Sequence, residues 1–240
     1  MTSRERVIRA IEFDRPDRAP RDLWALAGVS MFRRQEFDEV VRLFPTDFAA
    51  PTVRYGKAEC QRGKSGEVGT YVDEWGCEWT VAEPGVAGEV KNPPLADYSR
   101  LEGWTPPWEL LDQADFSEVD ASYKATDRFV KAGTHTRPFE RMQFLRGTEN
   151  LFEDLASLPE EFMELRRRVH EFNLREMILW ANTAVDAVGF MDDWGAQHSL
   201  LISPARWREL FKPMYREYCE ILKSKGKYVF FHSDGYTREI

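Results

Sequence analysis

Cysteine is scarce in this chain, and what there is does not pair. Three residues, Cys60, Cys77 and Cys219, are odd in number and widely spaced, which excludes a disulfide framework and a Cys-x-x-Cys zinc pair and leaves reduced thiols. Positive charge is also in deficit, with 33 Lys+Arg against 41 Asp+Glu and a net charge of −8. That balance excludes nucleic acid and anionic membrane as main partners, because both are held by clustered Lys and Arg. No stretch approaches about 18 consecutive apolar residues, and the start MTSRERVIRAIEF lacks the apolar centre of a signal peptide. Internal repeats and low-complexity tracts are missing too. A cytoplasmic protein acting on a small molecule is the expectation that remains. What is present is a hydrophobic fraction of 42% with 13% aromatics, enough to bury a core. The 240 residues fall just short of the length, about 250, of a single α/β barrel.

Thr2 and Glu5 have capping-box spacing, and Val7, Ile8 and Ile11 line one face of a first helix that Pro16 and Pro20 end. Leu23 to Leu26 reads as a first buried strand, residues 34–44 as a helix, and residues 48–53 as a second strand. From 56 to 94, regularly placed glycines alternate with Tyr71, Trp75, Trp79, Val81 and Val90, the texture of an antiparallel hairpin insertion whose aromatics pack. A Pro- and Trp-rich connector (104–108) and a helix over 117–126 follow.

The last 110 residues carry the clearest rhythm: a strand at 128–132, a short helix at 139–145 and a long amphipathic helix at 160–181 begun by Pro159 at the first helical position. Then come a strand at 187–191, a helix capped by Ser203 and ended by Gly226, and a strand at 228–231. Strand, long helix, strand predicts parallel pairing, with five such strands in all. His135 and His170 are read as structural.

In a parallel barrel, chemistry sits at the C-terminal ends of the strands. Two polar clusters fall there: Asp192-Asp193-Trp194-Gly195-Ala196-Gln197-His198 after one strand and His232-Ser233-Asp234-Gly235 after the next. His232 and Asp234 stand at i and i+2 in extended chain, so they share a face and suit metal ligation, an acid–base pair, or simply a cap on the next helix. The Asp192-Asp193 pair suits either a raised-pKa proton donor or an Asx turn.

Thr2 to Val7 with Pro16-Asp17-Arg18-Ala19-Pro20, the segment Phe139 to Gly147, Asp192 to Gln197, Ile202-Ser203-Pro204 with Phe211-Lys212-Pro213, and His232-Ser233-Asp234-Gly235 together resemble the uroporphyrinogen decarboxylase family across essentially the whole chain. The resemblance implies a (β/α)8 TIM barrel and one of two chemistries: cofactor-free decarboxylation of uroporphyrinogen, or methyl transfer involving corrinoid proteins and a zinc-bound thiol. Arg21-Asp22-Leu23-Trp24-Ala25 departs from the Arg-Gln-Ala-Gly-Arg motif of the decarboxylases. Where the methyltransferase branch has His-x-Cys-Gly, His232 matches and Asp234 replaces the Cys, making any metal site harder and more Lewis-acidic.

The expected protein is therefore a single domain over 1–240, with a hairpin insertion at about 56–94, in which methyl moves between a small substrate or thiol and a corrinoid protein. His232 and Asp234 are the expected zinc ligands, Asp192, Asp193 and Gln197 the catalytic residues, and Trp24, Arg141, Trp194 and His198 the substrate contacts. A methyl-corrinoid on a partner protein is the expected cofactor, and a homodimer is left open. Tetrapyrrole decarboxylation is the second reading, and an inactive fragment or binding module the third. Five strands of eight suggest a barrel cut about three βα units short.

Overall fold

Thr2 accepts from the Glu5 amide at 3.1 Å while the Glu5 carboxylate accepts from the Thr2 amide at 2.8 Å, so α1 (Ser3–Ile11) opens with the capping box its sequence promises. The computed structural model describes residues 1–240. Two short helices follow, α2 (Ala27–Phe32) and α3 (Arg34–Leu43), neither of which buries a residue. β1 (Phe48–Ala49) is brief because Pro51 withholds the amide a longer strand would need. The insertion is a three-stranded antiparallel meander, β2 (Gly69–Val72), β3 (Glu78–Val81) and β4 (Glu89–Asn92), rather than a single hairpin. α4 (Glu109–Asp112) and α5 (Val119–Lys124) connect it to β5 (Phe129–Gly133).

From there the order is α6 (Pro138–Arg146), α7 (Thr148–Ser157), α8 (Glu160–Ala181), β6 (Ala187–Met191), α9 (Pro204–Leu210), α10 (Lys212–Ser224) and β7 (Tyr228–His232). Pro159 is the N-cap of α8 rather than its first residue. Ser203 caps α9 as expected, but the expected single helix is two, parted at Phe211 with Pro213 in the first turn of the second.

β1, β5, β6 and β7 form a parallel sheet in the order β1-β5-β6-β7. The expectation of five strands is corrected to four: residues 23–26 pair with no strand, and Leu23, Trp24 and Leu26 are exposed. The sheet does not close on itself, and with helices packed against it the chain is an α/β fold built on a parallel sheet.

One sheet face packs Val130, Ala132, Val188 and Phe190 into a core shared with α6, α8 and α10. The other carries Phe129, Lys131, Gly189 and Met191. Its N-terminal end is covered by Val7, Ile8 and Ile11 of α1. The upper part of that face stays uncovered and forms a cleft.

Tying α1 to the sheet is Asp47, 1% exposed, just before β1. Its carboxylate accepts from Ser3 Oγ, Arg6 Nη1, both Arg18 terminal nitrogens and the Arg21 amide, all between 2.7 and 3.0 Å. Burial alone would raise its pKa, but the bonds from Arg18, Arg21, Ser3 and Arg6 outweigh it and hold the group well below the usual carboxylate range.

Candidate active site

The loops after β6 and β7 lie side by side and are stitched through their backbones. Asp192 N donates to His232 O at 3.0 Å, Gly195 N to Asp234 O at 3.1 Å and Tyr236 N to Ala196 O at 2.9 Å, while Trp194 N donates to Ser233 Oγ at 3.0 Å. Gly195 and Gly235 allow this approach. Gly235 has φ +78°, and a Cβ on it would sit 2.2 Å from the Gly195 oxygen. Gly235→Ala should part the two loops, costing about 2 kcal/mol in lost hydrogen bonds. The expected readout is faster proteolytic cleavage within 193–198, with the far-ultraviolet circular dichroism of the rest unchanged.

Strand alternation decides which side chains reach the mouth. Val188, Phe190, Asp192 and Trp194 point into the core, and Gly189, Met191 and Asp193 point the other way. Asp193 therefore meets His232 and Asp234. Their ligating atoms all lie within 4.8 Å of one another. His232 Nε2 is 3.2 Å from Asp234 Oδ1 and 4.0 Å from Asp193 Oδ1, and Asp193 Oδ1 accepts the Asp234 amide at 2.8 Å. Of the three, His232 lines a cleft of about 470 Å³ whose walls also include Leu23, Trp24, Lys131, Met191, Phe230 and Phe231. The Trp24 ring, 70% exposed, stands 5.4 Å from the His232 ring.

Asp192 does not join them. It is fully buried, accepting from the Phe139 and Glu140 amides at the start of α6 and from Tyr215 Oη at 2.6 Å. Burial pushes its carboxyl up to about 7 against the pull of Tyr215 and those amides. It is a cap inside the core, not a residue of the mouth. Trp194 is likewise core: 0% exposed, stacked on Phe139 with ring centroids 4.3 Å apart, its Nε1 donating to Tyr215 Oη. Gln197 and His198 are exposed at the tip of a turn closed by Ala196 N to Ser199 O, apart from the trio's hydrogen bonds. Arg141 is buried against Asp73 (3.0 Å) and Glu74 (3.5 Å), with its guanidinium over the Trp75 ring, and lines a different cleft. Of the nine residues expected from sequence, Asp193, His232, Asp234 and Trp24 are brought together at one place.

One mouth residue went unexpected. Lys131 on β5 lines the cleft, with its ammonium 5.1 Å from the Phe48 ring centroid, 5.3 Å from that of Phe230 and 3.0 Å from Asp22. Its signal was available: a lysine inside an apolar strand, on the parity opposite to the core residues Val130 and Ala132.

The donor set of one imidazole and two carboxylates suits a divalent cation of the zinc type, which takes nitrogen and oxygen ligands at about 2.0–2.2 Å. All three side chains are at least 40% exposed, so an ion in solvent can reach them. Glu140 Oε2, buried beside the Asp193 backbone, has no hydrogen-bond partner, and burial raises the Glu140 pKa.

No protein-family model matches the chain, and no curated protein matches it. Among solved structures, a methyltransferase from Methanosarcina mazei superposes with a TM-score of 0.64, covering 100% of this chain and 72% of that one at 15% sequence identity. The chain shares that protein's fold. At this identity the likeness speaks to the backbone alone, and the resemblance to the uroporphyrinogen decarboxylase family rests on the quoted motifs. No helix is long and apolar enough to cross a membrane.

Proposed function

We propose that the chain is a methyltransferase-type enzyme whose parallel sheet forms part of a (β/α)8 wall and whose mouth holds zinc through Asp193, His232 and Asp234. The observation that carries this reading is the convergence of those three side chains at the C-terminal ends of neighbouring parallel strands, beside a cleft large enough for a small substrate. The expected ligand pair thereby gains its third member, Asp193. The methyltransferase fold of the neighbour and the His-x-Asp placement support the choice of chemistry.

Zinc in such a site lowers the pKa of a bound thiol or water and so supplies a nucleophile near neutral pH. The protein's own residues do the rest. Trp24, Phe230, Phe231 and Met191 give the substrate an apolar wall. Lys131, ion-paired with Asp22 in the cleft wall, is the cation that meets an anionic end of the substrate. Exchange of the methyl group with a corrinoid carried by a partner protein belongs to the same proposal. Decarboxylation of a tetrapyrrole is less well served, because Arg141 is tied to Asp73 and Glu74 and does not line this cleft.

Metal content of the purified protein tests the reading. About one equivalent of zinc per chain is expected, falling at least tenfold in His232→Gln and in Asp193→Asn with the fold intact by circular dichroism. Protein that takes up no zinc, or variants that keep it, would refute the site.

A further inference from the structure

Glu176, in the C-terminal part of α8, is completely buried, and no arginine or lysine pairs with it. Its carboxylate accepts from Tyr55 Oη at 2.8 Å, Thr136 Oγ1 at 3.0 Å and the His135 amide at 3.1 Å. Those three bonds already pin the end of β5 to α8. A fourth goes further: His135 Nδ1 lies 2.9 Å from Glu176 Oε1. Because Glu176 is a pure acceptor among these donors, Nδ1 carries the proton, and Nε2 is left with a lone pair when the ring is neutral. The Tyr55 ring clamps the imidazole edge-on, with centroids 4.4 Å apart. Nε2 makes no hydrogen bond, is not among the buried unpartnered atoms, and belongs to no cluster of metal-ligating groups. It opens onto a second cleft, of about 330 Å³, between the antiparallel meander and the start of α6.

That cleft is polar, lined among others by Gln61, Tyr71, Glu74, Arg137 and Arg141. Arg137 has donors to spare, with only Met191 Sδ at 3.0 Å and Glu140 at 3.8 Å as partners. Arg141, 6% exposed, has a buried Nε with no acceptor. A fixed imidazole with a free nitrogen beside an underused guanidinium fits a ligand that offers both an oxyanion and a proton.

We propose that His135, oriented by Glu176, exchanges a proton at Nε2 with a small hydroxy- or thiol-carboxylate whose carboxylate is held by Arg137. In that step the ligand's O–H or S–H bond breaks, its electron pair stays on the ligand, and the proton forms the Nε2–H bond. The imidazolium charge is balanced by the Glu176 carboxylate. The groups facing His135 are Glu176 from α8, Tyr55, Glu74 from the turn between β2 and β3, and Arg141 from α6. Burial disfavours the charged ring, but the bond to Glu176 and its charge prevail and raise the His135 pKa. This site involves no metal and stands or falls apart from the trio at His232.

Nitrogen-15 spectra of the four histidine side chains in the full chain test it, with His135→Gln for assignment and glycolate as the probe. The expected result is an Nδ1–H ring titrating above the ordinary imidazole value, whose Nε2 signal moves saturably with glycolate. Arg137→Gln, with an unchanged circular dichroism spectrum as its folding control, should weaken that response at least tenfold, and Glu176→Gln should lower the titration midpoint. An Nε2–H tautomer, a His135 signal no more responsive to glycolate than that of exposed His198, or an undiminished response in Arg137→Gln would overturn the proposal.

Discussion

Asp47→Ala is expected to destabilise the protein by about 3 kcal/mol in urea unfolding. A buried carboxylate that anchors several donors typically costs 3–5 kcal/mol to remove, because its partners are left charged and unpaired. The lower end applies here: Arg6 keeps Asp17 at 2.6 Å, and Arg18 is partly solvated. Asp47→Asn should cost less, since it keeps the shape and some of the hydrogen bonds.

The two substitutions also differ with pH. The folded-state pKa of Asp47 lies below its unfolded value, so its contribution is fully present above about pH 4 and is lost as the pH falls through the folded value. Wild-type protein should lose stability below pH 4 more steeply than Asp47→Asn. Parallel acid limbs in the two unfolding series would show that the carboxylate carries no such charge-dependent stability.

Trp194→Ala should cost about 4 kcal/mol, the usual range for deleting a fully buried aromatic being 3–5. The ring stacks on Phe139, meets Phe211 edge-on at 4.6 Å and hydrogen-bonds Tyr215 through Nε1. Trp194→Phe retains most of the area and loses only that bond and part of the packing, so roughly 1–2 kcal/mol is expected. Thermal melts measure both. A residue that served the substrate instead would tolerate alanine with little change in melting temperature.

The polar stretch from Asp192 to His198 was legible in the sequence as a cluster after β6, but how its side chains divide between core and surface was not, and the pleat explains why. Both Asp192 and Asp193 are acidic, yet consecutive residues leave a strand on opposite faces, so one caps α6 in the core and the other reaches the mouth. Extending the parity of Val188 and Phe190 by two residues assigns Asp192 and Trp194 inward from sequence alone. The bounds of α8 and β6 were readable because a 22-residue amphipathic repeat and an unbroken apolar run leave little choice. Residues 23–26 misled because an apolar run marks burial only where an element packs over it, and here Leu23 and Trp24 border an open cleft and, with Leu26, stay exposed. The His135–Glu176 pair was beyond reach: 41 residues separate the partners, and only the packing of α8 beneath β5 brings them together.

The seat of α1 has a consequence for biosynthesis. Arg4 bonds Asp186, 182 residues later, and Glu12 accepts from the Tyr228 hydroxyl, 216 residues later. At about 5–20 residues per second, the ribosome needs roughly 10–40 s after making this helix to supply its partners. Helix α1 can thus be seated fully only after β6 and β7 have been made, and during that interval Val7, Ile8 and Ile11 are open to chaperones.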